Sequence, residues 1–282
     1  MKPLIVFQSD FTYKEGAVAS VYGVIKSVDR QLEIIDATQE LPQYDIYSAG
    51  YRLFQYMKFY PKGTIFLSVV DPGVGTARKA CVSKLEDYYI VTPDNGTLTF
   101  IKEHYPVLEV REIDETINRL RGKDTNEVAI FHGRDLFGYT AARLASGIIS
   151  YEQVGPSYPV EDIVMLPILK PTIEGDTIKG IVEISDPNFG NSWTNIPVKM
   201  FKDAGIDYGD QLKTVITFEG KEIFNQIVPF HKAFGDVAKG MEVIYHNELN
   251  NVALAVCMGS FMDRHKVGFG TGWQISFGKV KQ

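Results

Sequence analysis

Two cysteines in 282 residues, Cys81 and Cys257, are too few for a disulfide scaffold and lack the paired spacing of a zinc site. Both are expected as buried free thiols. Long apolar runs are missing too, which excludes a membrane-spanning helix, and residues 1–7 enter a strand-like stretch without the core and cleavage site of a secretory leader. The expectation is a cytoplasmic chain. Basic patches are also absent: a net charge of −6 offers no counterion-releasing surface, which argues against nucleic acid and for a small-molecule ligand. Only five histidines occur, none in HxH or HExxH spacing, and the glycine turns lack a phosphate-loop lysine. No metal and no cofactor are expected. There is no internal repeat or low-complexity tract. What remains is an ordinary globular balance, 45% hydrophobic and 23% charged, at a length that favours two domains.

The most informative stretch is residues 68–78, SVVDPGVGTAR. An apolar run over 65–70 reads as an interior strand, Pro72 fixes a turn, and Gly73 and Gly75 let backbone approach a ligand. Asp71 then stands at a strand's carboxyl end, where open α/β sheets bind ligands, and Arg78 is spaced to fold back onto it. A turn-stabilising ion pair is the structural alternative.

In chain order, a strand over 4–7 delivers Asp10 to the same kind of position before a helix over 15–28. Asp10 suits either a ribose diol or a helix N-cap. A strand over 32–36 and a helix opened by Gln43-Tyr44-Asp45 and running to residue 60 follow, then strands over 79–84 and 88–92. Pro93-Asp94-Asn95-Gly96 starts another helix, and 107–110 reads as a short strand. Residues 127–135 are expected as a strand that brings His132 to its tip, turning on Gly133 into a helix over 136–146, with Arg134 and Asp135 making local pairs. Three polar residues at three strand ends, Asp10, Asp71 and His132, form a convergent set.

The pattern changes after Gly155-Pro156-Ser157-Tyr158-Pro159, and the segment from Met165 to Gly175 reads as an interdomain connection. The chain divides into an α/β domain over 1–165 with a central, mainly parallel sheet, a linker over 166–176, and a β-rich domain over 177–282 that is a small barrel or sandwich. Within the latter, SDPNFGNSWTNI at 185–196 reads as one loop joining Asp186, Phe189, Asn191 and Trp193. Amides can read a purine edge and aromatic faces can stack on it, or the aromatics can simply plug the domain.

Taken together, QSDF at 8–11, QYD at 43–45, VDPGVGTAR at 70–78, PDNG at 93–96, FHGRD at 131–135 and SDPNFGNSWTNI at 185–196 resemble a family of enzymes that cleave S-adenosylmethionine. It contains the fluorinase, the chlorinase and the water-using adenosylmethionine hydroxide adenosyltransferases, and the likeness spans nearly the whole chain. It implies an α/β first domain, a carboxyl-terminal β-barrel, and a homotrimer holding substrate between one subunit's first domain and its neighbour's second. It also implies that Asp10 holds the ribose diol, Tyr44 lines the sugar pocket, Phe189, Asn191, Trp193 and Phe234 surround adenine, and Asp186 meets the methionine ammonium. Asp71, Arg78 and His132 resemble the set of the hydroxide-transferring branch. Where the family pattern has an Asn-Ser-Arg run for the methionine carboxylate, this chain has Asn247-Glu248-Leu249, with Arg264 or His265 as substitutes.

Physical reasoning favours water over halide. Asp71 would oppose a bare halide: two negative charges about 4 Å apart at an effective dielectric near 20 repel by roughly 4 kcal/mol. The expected reaction is in-line attack of water or hydroxide on the ribose 5′ carbon, methionine leaving as a neutral thioether in a pocket that includes Phe131, Phe189 and Trp193. A non-catalytic adenosine sensor is the main alternative, ahead of a halogenase and of a metal hydrolase using Asp10, Asp71, Asp94 and His132.

Overall fold

A computed structural model describes residues 2–122 and 130–280 and divides the chain into two compact units, Met1–Leu166 and Pro167–Gln282. In the first unit, strands β1 (Ile5–Ser9), β2 (Ile34–Thr38), β3 (Ile65–Val69), β4 (Ala80–Lys84), β5 (Tyr89–Pro93), β6 (Glu109–Glu112) and β7 (Ser157–Tyr158) form one sheet. Its order is β2-β1-β3-β5-β4-β6-β7. The helices are α1 (Ala17–Val28), α2 (Ile46–Met57), α3 (Thr99–His104), α4 (Glu115–Asn118) and α5 (Tyr139–Ser146).

Side-chain alternation along the strands explains why helices cover both faces. Ile5 and Phe7 of β1 and Leu67 of β3 join Val21 and Ile25 of α1 and Ala141 of α5 in one core. Val6 and Phe66 point the other way and meet Leu53 and Met57 of α2 and Ile101 of α3. Strands buried on both faces are therefore continuous apolar runs, as IVFQS and IFLSV show.

The sheet is mixed, which corrects the expectation of a mainly parallel one. β2, β1, β3 and β5 run parallel, while β5-β4, β4-β6 and β6-β7 are antiparallel. The reason is connection length, since the short turn between β4 and β5 cannot carry the crossover that a parallel pair needs.

The second unit contains β8 (Thr172–Glu174), β9 (Thr177–Asp186), β10 (Asn191–Pro197), α6 (Val198–Asp203), β11 (Gln211–Phe218), β12 (Lys221–Pro229), β13 (Glu242–His246), β14 (Asn251–Val256), α7 (Phe261–His265) and β15 (Trp273–Lys279). Its antiparallel strands follow the order β12-β11-β15-β9-β10-β14-β13, and Phe230 bridges to Ile244 of β13, so the two ends of the order meet and the sheet is nearly barrel-shaped. Val182, Leu212, Phe224, Leu254, Phe261 and Phe277 are among the residues of its core. Part of the expected linker is folded: Thr172–Glu174 pairs with β9 as an extra strand.

Candidate active site

β1, β3 and β5 are adjacent and parallel, so the residues just beyond their carboxyl ends, Asp10, Asp71 and Asn95, lie along one edge of the sheet. Past β3 the chain closes on itself: the amide of Val74 donates to the Asp71 carbonyl at 3.2 Å and that of Thr76 to the Gly73 carbonyl at 3.1 Å. These turns return Arg78 to Asp71. Its Nε donates to both Asp71 carboxylate oxygens, at 2.9 and 3.1 Å, and its Nη2 donates to Oδ2. The two side chains are only 10% and 6% exposed, so this is a buried, forked ion pair rather than a solvated one. Phe137 lies under the guanidinium, 5.1 Å from ring centroid to Cζ.

The same Nη2 meets His132 Nδ1 at 2.9 Å. A guanidinium can only donate, so Nδ1 accepts and the neutral ring carries its proton on Nε2. Burial pushes the His132 pKa below its ordinary value, and the Arg78 charge adds to that. His132 itself is not in a strand. It caps the helical segment that continues through a π-turn at Gly133–Gly138 into α5, and of the strand expected there residues 127–129 lie outside the described residues. Gly133 is not a turn residue either: a Cβ on it would lie 2.7 Å from Phe11 Cζ and 3.3 Å from Val69 Cγ1, so its missing side chain is what lets the helix reach β3. As expected, Arg134 pairs with its neighbour Asp135 and lies over Phe131.

A cleft of about 450 Å³ is lined by Asp10, Phe11, Tyr44, Asp71, Phe131 and Gly133, among others. Asp71 thus faces a ligand-sized space, with Arg78 and His132 behind it. Asp10 accepts the Tyr44 backbone N–H at 2.9 Å. Burial raises its pKa against that hydrogen bond, and the nearby Asp71 carboxylate raises it further. Asp10 caps no helix, because Gly16 precedes α1. Tyr44 holds φ at 64°, a left-handed conformation that bulky residues avoid and that only surrounding contacts can impose.

In the sequence Asn95 was read only as part of the turn that starts a helix. Its Nδ2 donates to the Val70 carbonyl at 2.9 Å while its Oδ1 accepts from Thr97, which braces the peptide leading into Asp71. Asp94 is spent elsewhere: its two oxygens accept from the Tyr158 hydroxyl and the Val164 amide, at 2.8 and 2.9 Å. It does not join Asp10, Asp71 and His132, and among the described residues no three His, Cys, Asp or Glu side chains gather as metal ligands.

In the second unit, residues 185–196 form not a loop but a hairpin, β9 and β10 joined by a turn that ends at Gly190. Gly190 has φ 67° and a Cβ there would strike Ser260, so the turn requires glycine. Register puts Asn191 beside Asp186, and its Nδ2 donates to Asp186 Oδ2 at 3.0 Å. Trp193 is buried and donates Nε1–H to the Tyr245 hydroxyl at 2.9 Å, and Phe234 packs on Tyr245 with ring centroids 4.7 Å apart. A cleft of about 810 Å³ brings Asp186, Phe189, Asn191, Trp193 and Phe234 together. Phe189 is 70% exposed, a large apolar face left in water. Arg264 and His265 both turn onto Glu242, at 3.2 and 3.0 Å, rather than toward the cleft's carboxylates.

Models of the SAM hydroxide adenosyltransferase N-terminal and C-terminal domains match residues 5–155 and 180–274. An (R)-S-adenosyl-L-methionine hydrolase of Thermus thermophilus is 33% identical over 92% of this chain and 94% of its own. A fluorinase of an Actinoplanes species is 26% identical over 90% of both chains. The crystal structure of an uncharacterised conserved protein from Thermotoga maritima, 34% identical, superposes with a TM-score of 0.87 over 98% of this chain and 100% of its own.

Proposed function

The chain belongs to the SAM hydroxide adenosyltransferase family, and from that premise we propose that it hydrolyses S-adenosyl-L-methionine to adenosine and L-methionine. One observation carries the chemistry: the Asp71–Arg78–His132 chain ends in a carboxylate that lines a cleft shared with Asp10 and Tyr44. Water attacks the ribose 5′ carbon in line with the sulfonium. The new C–O bond forms as the C–S electron pair withdraws to sulfur, methionine departs as a neutral thioether, and one proton is released. No general acid is needed for such a leaving group.

Asp71 orients the water and accepts its proton. His132 does not, because its Nδ1 is occupied by Arg78 and its Nε2 already bears hydrogen. The imidazole instead holds the guanidinium in the plane that grips Asp71. Asp10 and Tyr44 hold the sugar. Phe189, Asn191, Trp193 and Phe234 receive adenine, Asp186 meets the ammonium, and Phe131 helps keep the reacting centre dry. A bare halide beside Asp71 would be repelled, so hydroxide transfer is favoured over halogenation.

Purified protein incubated with S-adenosylmethionine, with and without chloride or fluoride, should release adenosine and methionine and no 5′-halo-adenosine by chromatography. A halo-nucleoside would overturn the charge argument. Tight binding without any product would instead make the protein an adenosine sensor. The reading extends to a cytoplasmic homotrimer. No helix among the described residues is long and apolar enough to cross a membrane.

A further inference from the structure

The 810 Å³ cleft of the second unit has an unbalanced lining. Among the described residues that line it, three carboxylates, Asp186, Glu248 and Asp263, stand against one ammonium, Lys232. His246, also in the wall, is bonded to Tyr208 and Asn250 through its two ring nitrogens. The nearby guanidinium of Arg264 is taken by the Gly240 carbonyl, at 2.6 Å, and by Glu242. Asp186 and Glu248 are both close enough to the Tyr245 hydroxyl to raise its pKa, after burial as the main cause. The aromatic faces of Trp193, Phe234 and Phe189, given to adenine above, complete the wall without adding charge to it.

A second observation marks the cleft as a ligand site. Asn247 is only 4% exposed and lines it, yet its Nδ2 has no hydrogen-bond partner among the described residues. The amide orientation is fixed, because Oδ1 accepts the Leu249 and Asn251 amides at 2.9 and 3.0 Å. A buried donor left unmade is costly until an acceptor arrives. The ring nitrogens and hydroxyls of an adenosine supply such acceptors without charge. A carboxylate would accept as well, but only beside Glu248, the next residue in the chain.

We propose that this cleft takes the substrate's side chain as a cation and that Glu248 sets the preference, so that adenosyl sulfoniums bearing an amine but no carboxylate are cleaved in preference to S-adenosylmethionine. The inference rests on the hydrolase reading above. Decarboxylated S-adenosylmethionine is the simplest member of the class. Its cleavage follows the same balance: water adds to the 5′ carbon, the C–S bond breaks with its electrons going to sulfur, one proton is released, and the products are adenosine and 3-(methylsulfanyl)propan-1-amine.

The test is kcat/KM by adenosine release, and Kd by calorimetry, for both sulfoniums with the wild-type protein, Glu248→Gln and Lys232→Met. The wild type should favour the decarboxylated compound at least tenfold. Glu248→Gln should narrow that ratio at least fivefold by improving S-adenosylmethionine, and Lys232→Met should not weaken S-adenosylmethionine selectively. A wild-type preference for S-adenosylmethionine, a ratio that Glu248→Gln leaves unchanged, or a selective loss in Lys232→Met that puts the carboxylate on that ammonium would each overturn the inference. If neither compound is cleaved, the hydrolase reading falls, and the Kd ratio still decides the charge preference.

Discussion

A guanidinium offers only N–H donors, so the 2.9 Å contact of Arg78 with His132 Nδ1 divides the work among the three residues. The carboxylate faces the cleft, and the imidazole holds the cation that holds the carboxylate. Asp71→Asn should therefore lower kcat by about a hundredfold or more, in the range of general-base effects, while adenosine binding by calorimetry changes little. His132→Ala should also lose most turnover with binding preserved, and unchanged turnover in both variants would sink the assignment. Because burial and Arg78 depress the His132 pKa, the ring stays neutral through the ordinary histidine value near 6.5. Protonation at lower pH would put a hydrogen on Nδ1 against an Arg78 N–H. Activity should hold from pH 8 to about 6.5 and fall below it as the lowered value is crossed, so half-loss of kcat/KM above pH 6.5 would contradict this arrangement. The linkage sign agrees: the unfolded chain takes this proton first, so the associated stability is complete above about pH 6.5 and is lost as pH falls through the folded value. Melting temperatures across the same range check it.

Among the elements, the apolar strands and amphipathic helices of the first unit were readable to within a few residues, because burial on both faces writes itself as IVFQS and IFLSV. Asp71 and Arg78 were readable as a pair from one local turn. His132 was correctly drawn to them but wrongly set on a strand, since glycine after histidine reads as a turn. Its real reason is room for Phe11 and Val69. Gly133→Ala should accordingly destabilise the protein by about 1–3 kcal/mol, as overpacking does, and disturb turnover beyond that, measured by denaturant unfolding and kcat. β10 was hidden because Asn191, Ser192, Asn195 and Pro197 break up its strand-favouring Trp193, Thr194 and Ile196. Its buried Thr194 and Asn195 are held by partners far along the chain, the Val252 carbonyl for Thr194 and the Leu169 carbonyl for Asn195, that no local pattern reveals. Asn95 escaped for the same reason, its partner Val70 lying in a neighbouring strand exit.

At the level of the whole molecule, Tyr44 and Phe189 leave 69% and 70% of their area in water while lining the two clefts. In the proposed trimer a neighbouring chain would cover these two faces. Sedimentation equilibrium should give about three times the 31.6 kDa of one chain, and a monomer at micromolar concentration would refute the trimer. The division into two units has a consequence for how the protein can change. The carboxylate, guanidinium and imidazole all belong to residues 1–166, and the acidic aromatic wall belongs to residues 167–282, each unit with its own core. On the roles proposed above, chemistry and tail recognition are written in separable passages of the gene. Drift or deliberate recombination would then retune which sulfonium is accepted while leaving the proposed hydrolytic residues untouched.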